Sequence, residues 1–253
     1  MSNYLLFEYP CNQRMRAYLR IEYAFNKIQQ ALEKDDQDNH SHAIWLIFSL
    51  IDYLQRNDVK SSVLKDLDAR ITEYVVLENN PQVDTEKLSK FLTQLKSLQS
   101  WIYRHQGKLG QHVTDNEFFS SIKKRFDGSL TIQPSDIPQY FYFLSRDSQK
   151  RREMIAQLLN EMQSIKTSIN VLLRLFRESA NFREIQAEQG GFGEDLDMTP
   201  CNLVRIRVNR VCEVYPEVSV GSHRVNIRFH TIKPDGKIVN VNDSIPFKLA
   251  LCN

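Results

Sequence analysis

The chain has 253 residues, 42% of them hydrophobic, enough to bury one large core or two modest ones. A charged fraction of 25% and a formal net charge of +2 mean that bulk charge imposes neither a nucleic-acid nor a membrane partner, so charge-driven recognition has to be local. The four cysteines, Cys11, Cys201, Cys212 and Cys252, form no CxxC pair and no disulfide framework, which excludes a cysteine-stapled secreted domain.

The first apolar run is only Leu5 to Phe7, too short for a signal peptide. The longest apolar stretch, Ile44 to Leu54, is interrupted by Ser49, Asp52 and Tyr53 and falls well short of the roughly 20 residues a membrane span needs. A cytosolic chain with reduced thiols and no membrane partner is expected.

Alternation after Asn3 predicts a strand with Leu5, Phe7 and Tyr9 on one side, ended by Pro10. Asn12 can cap the helix that follows, in which Tyr18, Ile21, Phe25, Ile28 and Leu32 share a face and Arg16 and Arg20 share another. A second helix, about Ser41 to Arg56, is apolar almost all round, the pattern of a helix inside a bundle. His40 and His42, in the polar stretch before it, read as solvated. Asp58 and Asp84 can cap two more helices carrying Leu67 and Ile71, and Leu92, Leu95 and Ile102. Tyr18, Phe25, Trp45 and Trp101 read as core aromatics.

Thr114 and Glu117 have capping-box spacing before Phe118, Phe119 and Ile122. Asp136-Ile137-Pro138 opens a further turn or two. The apolar positions from Ile155 to Phe176 form one stripe, in one helix or two, and helix stops near Ala180. Residues 187–197 are glycine-rich and acidic and read as a linker or mobile loop.

After Pro200 the period becomes two. Val204, Ile206 and Val208 alternate with Arg205 and Arg207, and Val225, Ile227 and Phe229 alternate with Arg224 and Arg228. Pro234-Asp235-Gly236 signals a hairpin, and Phe247, Leu249 and Leu251 a closing strand. The fold class is therefore α+β: a helical bundle domain (11–186) and a small antiparallel β domain (198–253), sandwich- or barrel-like. That β domain also takes residues 1–10, since a lone strand leaves its backbone groups unpaired.

Residues for chemistry are lacking. Neither cysteines nor histidines have paired zinc spacing, and there is no GxSxG elbow or HExxH helix. The glycines at 190, 191 and 193 follow a helix and lack the lysine of a phosphate loop. Glu194, Asp195 and Asp197, in that same stretch, lack the fixed geometry of acid–base catalysis. The chain reads as a non-enzyme with no cofactor; a pocket with convergent titratable groups would revive the enzyme reading.

From residue 201 onward eight basic residues face four acidic ones. Arg205 with Arg207, and Arg224 with Arg228, each share the polar face of a strand. If both strands lie in one sheet, four arginines stand together. Two readings remain open here: a solvated sheet face, or a groove gripping carboxylates of an acidic peptide, for which the planar guanidinium suits. A nucleic-acid-binding surface is the alternative from another class, weakened because no aromatics lie between the arginines as stacking platforms.

Several segments resemble the ZapD family of bacterial cell-division proteins associated with FtsZ. They are Phe7-Glu8-Tyr9-Pro10 with Asn12, Met15-Arg16 and Leu19 to Glu22; Arg56 to Lys60 with Leu64 to Asp68; Leu109-Gly110-Gln111; Asp136-Ile137-Pro138; Arg177 to Arg183; Tyr215-Pro216; Arg224 to Phe229; and Pro246 to Cys252. They are collinear and span nearly the whole chain. The resemblance implies a homodimer that binds the C-terminal tail of FtsZ and bundles its filaments at the mid-cell division ring. It implies a basic site containing Arg56, Arg224 and Arg228, with Arg16 and Arg20 in the first matching segment. Arg16 and Arg20 could equally serve a dimer interface or local ion pairs with Glu22 or Asp52. Glu117 and Phe141 depart from the family pattern, standing where a basic residue and a histidine can occur, and are not carried into the site.

Overall fold

A computed structural model describes residues 3–126, 135–196 and 201–253. It is an α+β fold whose chain divides into a unit of residues 20–172 and a unit of residues 1–19 with 173–253.

The described helices are α1 (Gln13–Leu32), α2 (Gln37–Arg56), α3 (Val59–Val76), α4 (Thr85–Arg104), α5 (Gln111–Asp115), α6 (Glu117–Phe126), α7 (Pro138–Ser145), α8 (Ser148–Asn160) and α9 (Gln163–Glu178). Side-chain caps start several of them where the sequence places them. Asn12 accepts from the Met15 N–H at 2.8 Å, Asp58 from Ser61 and Asp84 from Lys87. Asp36 caps α2, so that helix begins a turn earlier than its apolar run. The capping box is corrected: Asn116, not Thr114, accepts from the Phe119 N–H at 3.1 Å, while the Thr114 hydroxyl bonds back to Gln111. The long stripe from Ile155 is two helices, separated at Glu161 and Met162, where the chain tightens through a Met162 N–H to Leu159 carbonyl bond of 3.0 Å.

In the helical unit α2 packs against α7 and α8, and α3 against α4. Ile21, Ile28, Ile44, Ile51, Leu67, Leu95, Ile155 and Ile169 are fully buried, each stabilising the fold by about 1.5–3 kcal/mol relative to exposure. Two readings change here. Trp45 is 47% exposed, because on an apolar helix only the inward sectors find partners. His40 is fully buried: its Nδ1 accepts from Arg151 Nε at 3.0 Å, and Arg151, itself 4% exposed, also donates to the Leu144 and Arg146 carbonyls.

The β unit contains β1 (Tyr4–Pro10), β2 (Arg183–Ala187), β3 (Gly191–Asp195), β4 (Leu203–Asn209), β5 (Tyr215–Val220), β6 (Arg224–Ile232), β7 (Ile238–Asn240) and β8 (Ile245–Cys252). They form two antiparallel sheets, ordered β1-β4-β8-β2 and β3-β6-β5, with β7 joining β6; neither closes into a barrel. The N-terminal strand does return to the sheet, pairing with β4 from Tyr4 opposite Asn209 to Pro10 opposite Leu203. The alternating apolar sets of the two sheets meet face to face. Phe247 lies edge-on to Phe192 (5.6 Å) and to Phe229 (5.2 Å), among Val204, Ile206 and Val225.

The linker reading of residues 187–197 is overturned where the chain is described. Gly191–Asp195 is a strand paired with β6, and a tight turn at Gln189 and Gly190, both with positive φ, precedes it. The Phe192 ring anchors that strand in the core, which a mobile loop does not do. Asp197 lies outside the described residues.

Candidate functional site

Register decides where the four strand arginines stand. β4 and β6 belong to different sheets, so Arg205 and Arg207 lie on the outer face of one sheet and Arg224 and Arg228 on the outer face of the other. The single four-arginine surface does not exist. Each pair keeps its own face because the apolar alternates of both strands point inward to the shared core.

Arg205 is occupied internally. Glu8 accepts from Arg205 Nε at 2.9 Å and from Arg177 at 2.9 and 2.6 Å, and Arg205 donates further to the Arg177 carbonyl. Glu8 and Arg205 side chains are only 16% and 12% exposed, so this is a structural cluster. Arg207 is exposed and lies over the Phe182 ring, 4.1 Å from its centroid.

The face of β6 is different. Arg224 and Arg228 are exposed and stand about 13 Å apart along the strand, four residues at about 3.3 Å each. Opposite them on β3 are Asp195 and Gly191, with Gly193 opposite Asn226. A Cβ on Gly193 would come within 2.7 Å of Arg224 Nη2, and one on Gly191 within 3.2 Å of Arg228 Nη1. The two glycines therefore form a floor that leaves room for the guanidinium groups close against β3. Arg224 pairs with Asp195 at 2.9 Å and with Asn226 at 3.2 Å. Arg228 has no carboxylate partner among the described residues; Glu217, its register partner on β5, turns instead to His230 at 3.1 Å. At the far end of the same face, Ile232 and Ile238 are paired across β6 and β7 and are 62% and 63% exposed.

The remaining predicted residues are dispersed in the chain. Arg16 is exposed near the start of α1. Arg20 is exposed and reaches the Tyr53 ring at 5.9 Å, while Asp52 pairs with Lys123 and so is not its partner. Arg56, exposed in the last turn of α2, lines a groove of about 350 Å³ with Asn57, Lys60 and Lys108. Glu117 is exposed in the first turn of α6 and Phe141 is half exposed in α7.

The family model for ZapD, described as a cell division protein, matches residues 19–228. The chain belongs to the ZapD family. Proteins named cell division protein ZapD from Bordetella petrii and Ralstonia nicotianae are each 30% identical, over 249 and 250 residues, 98% of this chain and 99% of theirs. The Bordetella pertussis protein of that name is 31% identical over 253 residues, the whole of both chains. These ZapD names describe cell division and no enzymatic activity. Among the described residues of this ZapD-family chain, no helix is long and apolar enough to cross a membrane, and no group of His, Cys, Asp and Glu could hold a metal ion.

Sequence reasoning missed the glycine floor and the Ile232–Ile238 pair. The signal for the first was present: Gly191, Gly193 and Asp195 alternate with Phe192 and Glu194 at strand period.

Proposed function

We propose that this chain binds the C-terminal tail of FtsZ and, as a cytoplasmic homodimer, crosslinks FtsZ filaments at the division ring. The observation that carries the site is the exposed Arg224–Arg228 pair laid over Gly193 and Gly191. Arg228 has no competing carboxylate among the described residues, and the Asp195 that meets Arg224 is itself 80% exposed. An exposed ion pair of that kind is worth at most about 1 kcal/mol, so an incoming carboxylate exchanges with it at little cost. Guanidinium forks grip peptide carboxylates in bidentate fashion. Ile232 and Ile238, at the far end of the same face, offer an apolar rest further along an extended peptide.

Bundling follows from symmetry. One copy with one tail site decorates a filament; a two-fold pair carries the site twice and bridges two filaments. Affinities of about micromolar per site suffice, because successive sites along a filament raise the effective concentration.

The test is titration with a synthetic FtsZ tail peptide at low and near-physiological salt, beside a variant carrying Arg224→Glu and Arg228→Glu. Saturable binding that weakens with salt, as screening over about 10 Å requires, and that vanishes in the variant supports function and site together. Binding that survives in the variant keeps the function and moves the site to Arg16, Arg20 and Arg56. No wild-type binding at either salt refutes the reading, and an oligonucleotide titration with a steep salt slope would then favour the nucleic-acid alternative.

A further inference from the structure

The tail-binding reading uses no cysteine, yet three of the four converge. Cys11 follows β1, Cys201 precedes β4 and Cys252 lies at the end of β8; β1 and β8 both pair with β4, so the topology gathers the three at one end of one sheet. The backbone there is fixed on both sides: Cys11 N–H donates to the Asn202 carbonyl at 2.9 Å, and Asn202 N–H to the Cys252 carbonyl at 2.8 Å. The Cys11 and Cys201 sulfurs are 3.7 Å apart, in van der Waals contact. Cys201 is buried and Cys11 half-buried, leaving an approach from the Cys11 side. The Cys252 thiol is directed to the Arg177 carbonyl at 4.0 Å. Cys212 lies beyond the opposite end of β4, about 20 Å away at strand rise.

We propose that Cys11 and Cys201 are a redox-active thiol pair that a small hydroperoxide converts to a disulfide, stapling the β1–α1 junction to the start of β4. A disulfide has an S–S length of about 2 Å, so the sulfurs must close by somewhat under 2 Å, within reach of side-chain rotation. The Cys201 thiolate attacks one oxygen of hydrogen peroxide. The O–O bond breaks, hydroxide leaves and takes up the proton Cys201 gave up, and a sulfenic acid remains. The Cys11 sulfur then attacks the sulfenic sulfur; the S–S bond forms, the S–O bond breaks, and the departing hydroxide takes the Cys11 proton. Two thiols and one hydrogen peroxide thus give one disulfide and two waters, two electrons passing from sulfur to oxygen. The Cys11 S–H directed at the Cys201 sulfur holds the Cys201 thiol below its ordinary range and, with burial, pushes Cys11 up.

The experiment treats the reduced full-length protein with increasing hydrogen peroxide, alkylates the remaining thiols, and maps non-reduced peptides by mass spectrometry. A crosslinked Cys11–Cys201 peptide, lighter by two hydrogens, should appear before Cys212 gains oxygen and should vanish on thiol reduction. Because the bond joins residues 190 positions apart in sequence, the oxidised protein should melt higher by on the order of 10 °C. Cys11→Ser should leave Cys201 over-oxidised and uncrosslinked. Alkylation of both Cys11 and Cys201 at peroxide levels that oxidise Cys212 overturns the proposal, as does a Cys201–Cys252 crosslink. Wild-type mapping decides the matter even if the serine variant does not fold, and no outcome depends on tail binding.

Discussion

Replacing Gly190 and Gly193 separately by alanine should give opposite results, although both belong to one glycine cluster. Gly190 has φ +68°, and a Cβ there would sit 2.0 Å from the Val241 carbonyl oxygen, which is backbone and cannot swing aside. The left-handed conformation alone costs a non-glycine residue about 1–2 kcal/mol. Relieving the clash moves a segment whose N–H donates to the Asp243 carbonyl and whose carbonyl accepts from the Phe229 N–H, both at 2.8 Å. Each of those bonds is worth about 1 kcal/mol. Gly190→Ala should therefore lose roughly 3–4 kcal/mol, a fall of about 10 °C in melting temperature for a chain of this size. Gly193 has no positive φ, and its added Cβ meets the movable end of Arg224. Gly193→Ala should keep stability within about 1 kcal/mol, while displacing the Arg224 guanidinium and weakening tail-peptide binding. Differential scanning calorimetry is the assay, because Trp45 and Trp101 both lie in the helical unit and report poorly on the sandwich. A Gly190→Ala loss below about 1 kcal/mol would refute the reasoning, since it would mean the turn relaxes freely and these residues behave as a loose linker after all.

Burial and the neighbouring Arg151 charge hold the His40 imidazole below its ordinary value of 6.5, so the unfolded chain binds a proton that the folded chain refuses. Folding should weaken as pH falls below 6.5 toward the folded-state value, and urea melts between pH 7.5 and 5 should show less of this slope in His40→Asn. Asn116→Ala should cost about 1 kcal/mol in the same melts and Thr114→Ala almost nothing; equal losses would return the cap to Thr114. Glu8→Ala leaves Arg177 and Arg205 without their shared carboxylate in a mostly buried setting, and should cost about 2–3 kcal/mol by chemical denaturation. A neutral result there would mean that water replaces the carboxylate.

The helices were legible because what sets them is local. A cap and its amide are three residues apart, and an apolar stripe repeats within one segment, so Asn12, Asp58 and Asp84 and the faces of α1 and α4 can be read directly. The α6 cap was misplaced by two residues because Thr114 and Asn116 both suit the role, and backbone geometry alone selects between them. The alternation of β4 and β6 likewise told which side of each strand is apolar. It could not say which sheet each strand joins, because pairing partners lie far away in sequence and both strands offer the same period of two. That one non-local fact separates Arg205 and Arg207 from Arg224 and Arg228 and sends Arg205 into the Glu8 cluster. It also turns a glycine-rich stretch into the floor beneath the exposed pair. Burial of His40 and contact between Cys11 and Cys201 are of the same kind: each depends on a partner 111 or 190 positions away. By itself the sequence determined the family, the helical segments and the polar face of each strand; the tertiary structure decided which faces meet, because packing alone brings distant residues into contact.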